Sequence, residues 1–438
     1  MTAHLSRNFM QRKYTESNKL LNRTKKIIPL AAQTFSKSYL QYIKGQAPLF
    51  ITKAKGATTW DVDGNQYTDF INCLAAIVLG YQHPAVDQAI RRQLQLGINF
   101  SLPSPLEAQL AQILIKLIPC AEMVRFGKNG SDVTTGAIRV ARAVTGRDHV
   151  AACGYHGWHD WYIGSTTRSK GVPAATKKLT HKFVYNDIGS LKKIFKQHPG
   201  QIAAVIMEPM SYIEPQPGFL AAVKKVAHQH GALLIFDEVV TGFRFHIGGA
   251  QKLFGVTPDL ATFGKAMANG MPIAALVGKR QYMKEIDNIF YSFTHGGEVL
   301  SIAASIATIT ELQKKKAIQK IWRLGRQLRR GTVAAIKKNG LTDVITVAGK
   351  PCWLVIIFKG SQGFSGLEIK SYVQQEFLQR GILWYGQHNM SYSHTVADVN
   401  RLVKAYDEVL AELKKLLESK KLRQALRGKP ITDIFSVR

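Results

Sequence analysis

Two ionisable side chains stand where an α/β protein presents groups to a ligand. Asp237 closes the apolar run of residues 233–236 in LLIFDEVVTGFR, and Lys265 follows an apolar strand in DLATFGKAMANGMP. A carboxylate at a strand end is placed for ligand binding, although it also serves as an ordinary turn cap. The lysine sits among Gly264, Ala266 and Ala268, which leaves room for a bulky aromatic group. Burial would depress its pKa toward nucleophilic use, whereas a lone loop lysine is otherwise a surface charge. In FGKNGSD, Gly130 and Ser131 open a helix with Ala137, Ile138, Val140 and Ala141 on its apolar face. Amides and a hydroxyl at such a terminus suit a phosphate, or simply cap the helix. Tyr155 in CGYHGWHD follows another strand and could stack on a flat heteroaromatic ring or pack within the core or a dimer contact.

The elements that must hold these residues follow from the apolar pattern. Residues 106–117 repeat apolar positions at helical spacing, and short apolar runs then alternate with helical segments for about two hundred residues. Residues 124–126, 149–152, 203–207, 233–236 and 273–277 are candidate strands. Several are apolar on both faces, as in a mostly parallel sheet covered by helices on each side. Before them come a helical arm and, at residues 56–70, a hairpin pattern around Asp63 and Gly64. After Ser301 a long helical stretch runs to about Lys338, followed by a smaller α+β pattern. We read residues 1–104 as an N-terminal arm and hairpin belonging to the small domain, 105–330 as the large domain, and 331–438 as the C-terminal small domain with a basic tail.

Composition narrows the function classes. The 438 residues carry 59 basic and 29 acidic side chains, a formal charge of +30 that favours anionic partners through the summed field. The runs at 314–316 and 323–330 lack interleaved aromatics, so they read as solvated basic surface and no specific nucleic-acid partner is expected. No apolar stretch reaches about 18 residues, and basic residues such as Arg7, Arg12 and Lys13 interrupt the start, so membrane insertion is not expected and the chain is expected to be cytoplasmic. Cys73, Cys120, Cys153 and Cys352 are too scattered for a disulfide framework or a metal site.

The ordered set GATTWDVDG, GSD, YHG, MEP, DEVVTGFR and FGKAMANGMP resembles the class III pyridoxal-phosphate (PLP) aminotransferases, and within them the chain is similar to the glutamate-1-semialdehyde 2,1-aminomutase-like branch, with matching features over about residues 28–406. The resemblance implies an α/β PLP fold type I, like aspartate aminotransferase, with a large, mostly parallel sheet domain and a smaller α+β domain. It also implies a homodimer with shared active sites. It makes Lys265 the Schiff-base lysine and Asp237 the partner of the cofactor's ring nitrogen, with Val239 on one ring face and Tyr155 on the other. Gly130 and Ser131 would bind the phosphate, and Thr294 would reach the same phosphate from the neighbouring subunit. Glu208 and His156 would lie near the ring.

Departures from the aminomutase pattern fall on substrate handling. Its N-S-P-V-R signature appears as QTFSK, so Thr34 and Lys37 occupy the places of the substrate-handling serine and arginine. A lysine offers a point charge where arginine offers a planar fork. Leu74 replaces a tryptophan, SYIEPQPGFL lacks the family's G-N, and the gating loop reads IGSTTRSKGVP. The usual G-T-x-S-G-N-P appears as FTHGGEV. We therefore expect transfer of an amino group from an amino-acid donor such as glutamate to a carbonyl acceptor, with a sugar or surface-polysaccharide precursor as the acceptor class. The alternatives are the aminomutase reaction and a non-catalytic anion- or nucleic-acid-binding protein on the same fold.

Overall fold

The computed structural model describes residues 12–433, which pack as two units, 12–74 with 321–433 and 75–320. Residues 75–104 thus join the unit of the large sheet, and 321–330 join the other. The expected N-terminal arm at residues 1–11 and the end of the expected basic tail at 434–438 lie outside the described residues.

In the first unit the helix Thr15–Thr24 precedes three strands, β1 (Ile51–Lys55), β2 (Thr58–Asp61) and β3 (Gln66–Asp69). β2 and β3 pair antiparallel, Thr58 opposite Thr68, around a turn in which Gly64 takes φ +80°. That conformation is open to glycine at little steric cost, which is why the Asp63-Gly64 pair marks the hairpin.

The second unit carries a seven-stranded sheet: β4 (Met123–Gly127), β5 (His149–Cys153), β6 (Thr180–Lys182), β7 (Ile202–Met207), β8 (Leu233–Asp237), β9 (Leu260–Phe263) and β10 (Ala274–Gly278). Their spatial order is β4-β10-β9-β8-β7-β5-β6, and only β10 runs against its neighbours. β7, β8 and β9 are buried along their whole length, as strands of a sheet covered on both faces are. The helix Gly130–Thr145 lays Val133, Ala137, Ile138, Val140 and Ala141 into this core and ends at Gly146 in the left-handed conformation. β6 has no counterpart among the expected strands, because three residues reading THK carry neither an apolar run nor a clear alternation.

The helical stretch expected from Ser301 to Lys338 is two helices, Val299–Lys314 and Ala317–Lys338. Lys316 takes φ +49° between them, and no helix continues through such a residue. The first unit then adds β11 (Ile345–Lys350), β12 (Trp353–Phe358), β13 (Ile382–Leu383) and β14 (Gln387–Asn389), with the helices Gly366–Gln379 and Val396–Glu418. β13 completes the sheet of β1–β3, while β11, β12 and β14 form an antiparallel sheet. The large mixed, mostly parallel sheet and the separate α+β unit are the expected fold class. Among the described residues no helix is long and apolar enough to cross a membrane.

Candidate active site

The second unit brings five strand ends together. The C-terminal ends of β4, β5, β7, β8 and β9 run into Gly130–Ser131, Tyr155–His156, Glu208, Asp237–Val239 and Lys265 respectively. Parallel strands aim their following loops at one edge of the sheet, so residues up to 135 positions apart in sequence become neighbours.

Asp237 is buried at the end of β8, and His156 Nδ1 lies 2.8 Å from its Oδ2. The Val239 amide and the Thr262 hydroxyl donate to Oδ1 at 3.1 and 3.2 Å. His156 is itself buried, and its Nε2 has no hydrogen-bond partner. Lys265 takes φ +43°, a left-handed conformation costly for any residue that carries a Cβ. Such strain persists where the surrounding structure enforces it, which here is the tight 3-10 turn Lys265–Ala268. Burial pushes the Lys265 ammonium below its ordinary pKa; Asp237 and Glu208 oppose that shift and Arg244 adds to it. Burial, reinforced by Asp237, pushes the Glu208 carboxyl up. Glu208 Oε2 accepts the Tyr155 amide at 3.1 Å.

Small residues permit the close approach of these loops. A Cβ on Gly130 would meet Val239 Cγ1 at 3.2 Å, so the helix start lies against the residue expected on one ring face. Gly157 has φ +100°, and a Cβ there would lie within 3 Å of Ser131. Ser131 Oγ accepts the Trp158 amide at 3.2 Å, and Asn129 and Asp132 form a reciprocal cap on the helix that Gly130 opens. Tyr155 leaves 45% of its surface exposed beside this group.

These residues fit a flat, anionic, nitrogen-containing ring. A buried carboxylate faces a basic ring nitrogen, an exposed aromatic offers a stacking face, a helix N-terminus of sixteen residues suits a phosphate, and a desolvated amine suits a carbonyl. The structure thus groups Gly130, Ser131, Tyr155, His156, Glu208, Asp237, Val239 and Lys265. Thr294 does not join them within this chain. It is exposed and lines a cavity of about 590 Å³ with Asn99, Phe100, Leu102 and Tyr291. Thr34 and Lys37 belong to the first unit, where Lys37 Nζ lies 3.4 Å from Cys73 Sγ. The four cysteines are free thiols.

Two residues of this site were not singled out in the sequence. Arg244 is fully buried and donates to the Ala75 carbonyl at 2.9 Å, and its charge bears on Lys265. Its signal was a charge inside the quoted run GFR. Thr262 had only its polar place in the strand LATF.

Residues 40–409 match the family model described as aminotransferase class-III. The chain is 37% identical over 415 residues to a 3-aminobutyryl-CoA aminotransferase of Cloacimonas acidaminovorans (strain Evry), covering 92% of this chain and 99% of that one. It is 34% identical to glutamate-1-semialdehyde 2,1-aminomutase 2 of Brevibacillus brevis (strain 47), over 82% of this chain and 90% of that one. Its structure resembles that of the FumI protein of Sphingopyxis sp. MTA144 in its PLP internal aldimine form, with 29% identity, a TM-score of 0.86, and 92% and 98% of the two chains covered.

Proposed function

Because the chain belongs to the class III aminotransferases, we propose that it transfers an amino group to or from the carbon β to an acyl thioester carbonyl. The observation that carries this reading is the 37% identity, along nearly the full length of both chains, to an enzyme named for a 3-aminoacyl-CoA. The exchange of arginine for lysine at Lys37 supports it. A substrate whose carboxyl is thioesterified has no carboxylate for a bidentate fork to grip. The charge of +30 favours a substrate bearing the phosphates of coenzyme A. The sugar or polysaccharide acceptor expected from the motif variants has no counterpart among the relatives described above.

The cofactor is pyridoxal phosphate, which supplies a protonated ring able to take up the electrons released when a substrate carbon loses its proton. Asp237, fixed by His156, Val239 and Thr262, holds the ring nitrogen protonated. Lys265 Nζ would anchor the cofactor's carbonyl carbon and, as a free amine, would hold the proton that moves between two carbons. Val239 and Tyr155 would cover the two ring faces, Glu208 and His156 would border it, and Gly130 and Ser131 would receive the phosphate. Thr34 and Lys37 handle the substrate.

Thr294 reaches the phosphate of a second copy of the chain in a homodimer. An exposed stripe, Leu94, Leu96, Ile98, Phe100 and Leu102, lies beside the Thr294 loop, to which Asn99 Nδ2 is hydrogen-bonded. Apolar surface of this kind is normally covered by a partner. The chain works in the cytoplasm.

The test is the absorption spectrum of purified, cofactor-loaded protein before and after adding 3-aminobutyryl-CoA, free 3-aminobutyrate, L-glutamate, a nucleotide-linked amino sugar or glutamate 1-semialdehyde. Conversion of the visible band to a pyridoxamine-like band by the thioester and by an amino-acid donor is expected. Isomerisation of glutamate 1-semialdehyde without any added donor would instead establish the aminomutase reading, which the 34% identical relative favours. Conversion by the amino sugar alone would replace the thioester with a sugar.

A further inference from the structure

At the end of β5 away from the strand-end group, three histidines converge from separate elements. His149 is the first residue of β5, His181 the middle residue of β6, and His198 caps the helix Ile188–Gln197. The register pairs Ala151 with His181, so His149 and His181 project from the same sheet face, two residues apart on a strand being equivalent in side. His149 Nδ1 and His181 Nε2 lie 2.8 Å apart. The rings of His181 and His198 stack with centroids 4.0 Å apart, and those of His149 and His198 lie 5.0 Å apart. One ligand atom from each residue lies within 4.8 Å of the others, and all three side chains are half-buried.

We propose that His149, His181 and His198 form a binding site for one late first-row divalent metal ion, with water completing its coordination. Zinc–imidazole bonds of about 2.0–2.1 Å in a tetrahedral arrangement place ligand nitrogens about 3.3 Å apart, so the His149–His181 pair at 2.8 Å opens by about half an ångström and the wider separations, all within 4.8 Å, close by at most about 1.5 Å through ring rotation. The donor set selects the metal. Three imidazoles with no carboxylate suit zinc, nickel or copper, whereas magnesium, calcium and manganese prefer oxygen. Neutral imidazole is the ligating form. Burial and the neighbouring rings push His181 down to about 4 and also lower His149. Asp148 and Arg142 bear on His149 with opposite sign.

The ion would join the edge strand of the large sheet to its neighbour. β6 has three residues and pairs on one side only, with β5. A metal bridging His149, His181 and His198 ties β5, β6 and the end of the following helix across two loops, which constrains the part of the sheet with least backbone pairing.

Zinc would be titrated into chelator-stripped holoenzyme by calorimetry, alongside His181→Ala and His198→Ala variants, with X-ray absorption at the zinc edge on the wild type. We expect one equivalent per chain, affinity lowered at least about tenfold in either variant, three imidazole nitrogens in the absorption spectrum, and a zinc-dependent rise in melting temperature confined to the wild type. Unchanged affinity in the variants, no equivalent retained by the wild type, or a coordination shell containing sulfur or fewer than three imidazoles would overturn the proposal. The absorption spectrum decides the matter on the wild type even if a variant fails to fold. The donor half-reaction of the variants should match the wild type, since the cluster lies at the far end of β5.

Discussion

His156 Nδ1 meets Asp237 Oδ2 at 2.8 Å with both side chains buried, so the carboxylate expected to face the cofactor is oriented by a residue two strands away in the sheet. The Val239 amide and the Thr262 hydroxyl hold its other oxygen. A hydrogen bond to a charged group contributes about 1.5–3 kcal/mol, and its loss leaves a less well-satisfied buried charge. His156→Leu is therefore expected to weaken cofactor binding by about ten- to a hundredfold. Titrating apoprotein with pyridoxal phosphate measures this, and an unchanged dissociation constant would show that Asp237 is positioned without the imidazole.

Lys265 combines a desolvated amine with a left-handed backbone, so it should be costly to the apoprotein while being required for turnover. Lys265→Ala and Lys265→Gly should both abolish steady-state turnover and keep the fold. Glycine alone also relieves the backbone, and the glycine variant should be the more stable by about 1 kcal/mol, the reverse of the usual order at ordinary positions. Denaturant melts of the two apoproteins provide the comparison. Equal stability would mean that the turn relaxes once the lysine is gone, and normal turnover by either variant would remove Lys265 from its role.

Covalent loading of the cofactor needs the neutral amine. Because burial lowers the Lys265 pKa, the loading rate should rise with pH through a midpoint below the ordinary lysine value. The charge of Glu208 raises that midpoint, so Glu208→Gln should move it further down, whereas Arg244→Gln should move it up. The same shift makes the unfolded chain bind more protons than the folded one between the two pKa values, so apoprotein stability should increase with pH across that window. Stopped-flow absorbance over a pH series reads the midpoints. Shifts of the same sign in both variants would contradict the electrostatic account.

The strand-end residues were legible in the sequence because each follows a short, largely apolar run, and parallel strands deliver their ends to one edge whatever the intervening length. Asp237, Lys265, Gly130 and Tyr155 could be read in this way. The histidine cluster could not. His149, His181 and His198 are separated by 32 and 17 residues, and they meet through the pairing of β5 with β6, a strand too short and polar to announce itself. The contribution of Arg244 was hidden for a related reason, since its burial depends on carbonyls of Ala75 and Ile77, nearly 170 residues earlier. The left-handed run Asn72, Cys73, Leu74 and Ala75 has no sequence signal either. Each L-residue there gives up about 1–2 kcal/mol of local preference, so only the surrounding structure can impose it.

Thr294 is absent from the group around Lys265 within one chain and sits beside an exposed apolar stripe, which makes its role testable by mixing subunits. If each site takes Lys265 from one subunit and Thr294 from the other, a heterodimer of Lys265→Ala and Thr294→Ala chains has one site lacking both residues and one site intact. Each homodimer carries the same defect in both its sites. Denaturing and refolding the two variants together at equal amounts should give half heterodimers, and so restore about one quarter of wild-type activity at low cofactor concentration, where Thr294→Ala alone loads poorly. A Leu102→Glu chain, whose charge would lie in the stripe, should lose both dimerisation and tight cofactor binding. Activity of the mixture no greater than the sum of the separate variants would place both residues in a site built from one chain, and dimers unaffected by Leu102→Glu would move the interface elsewhere.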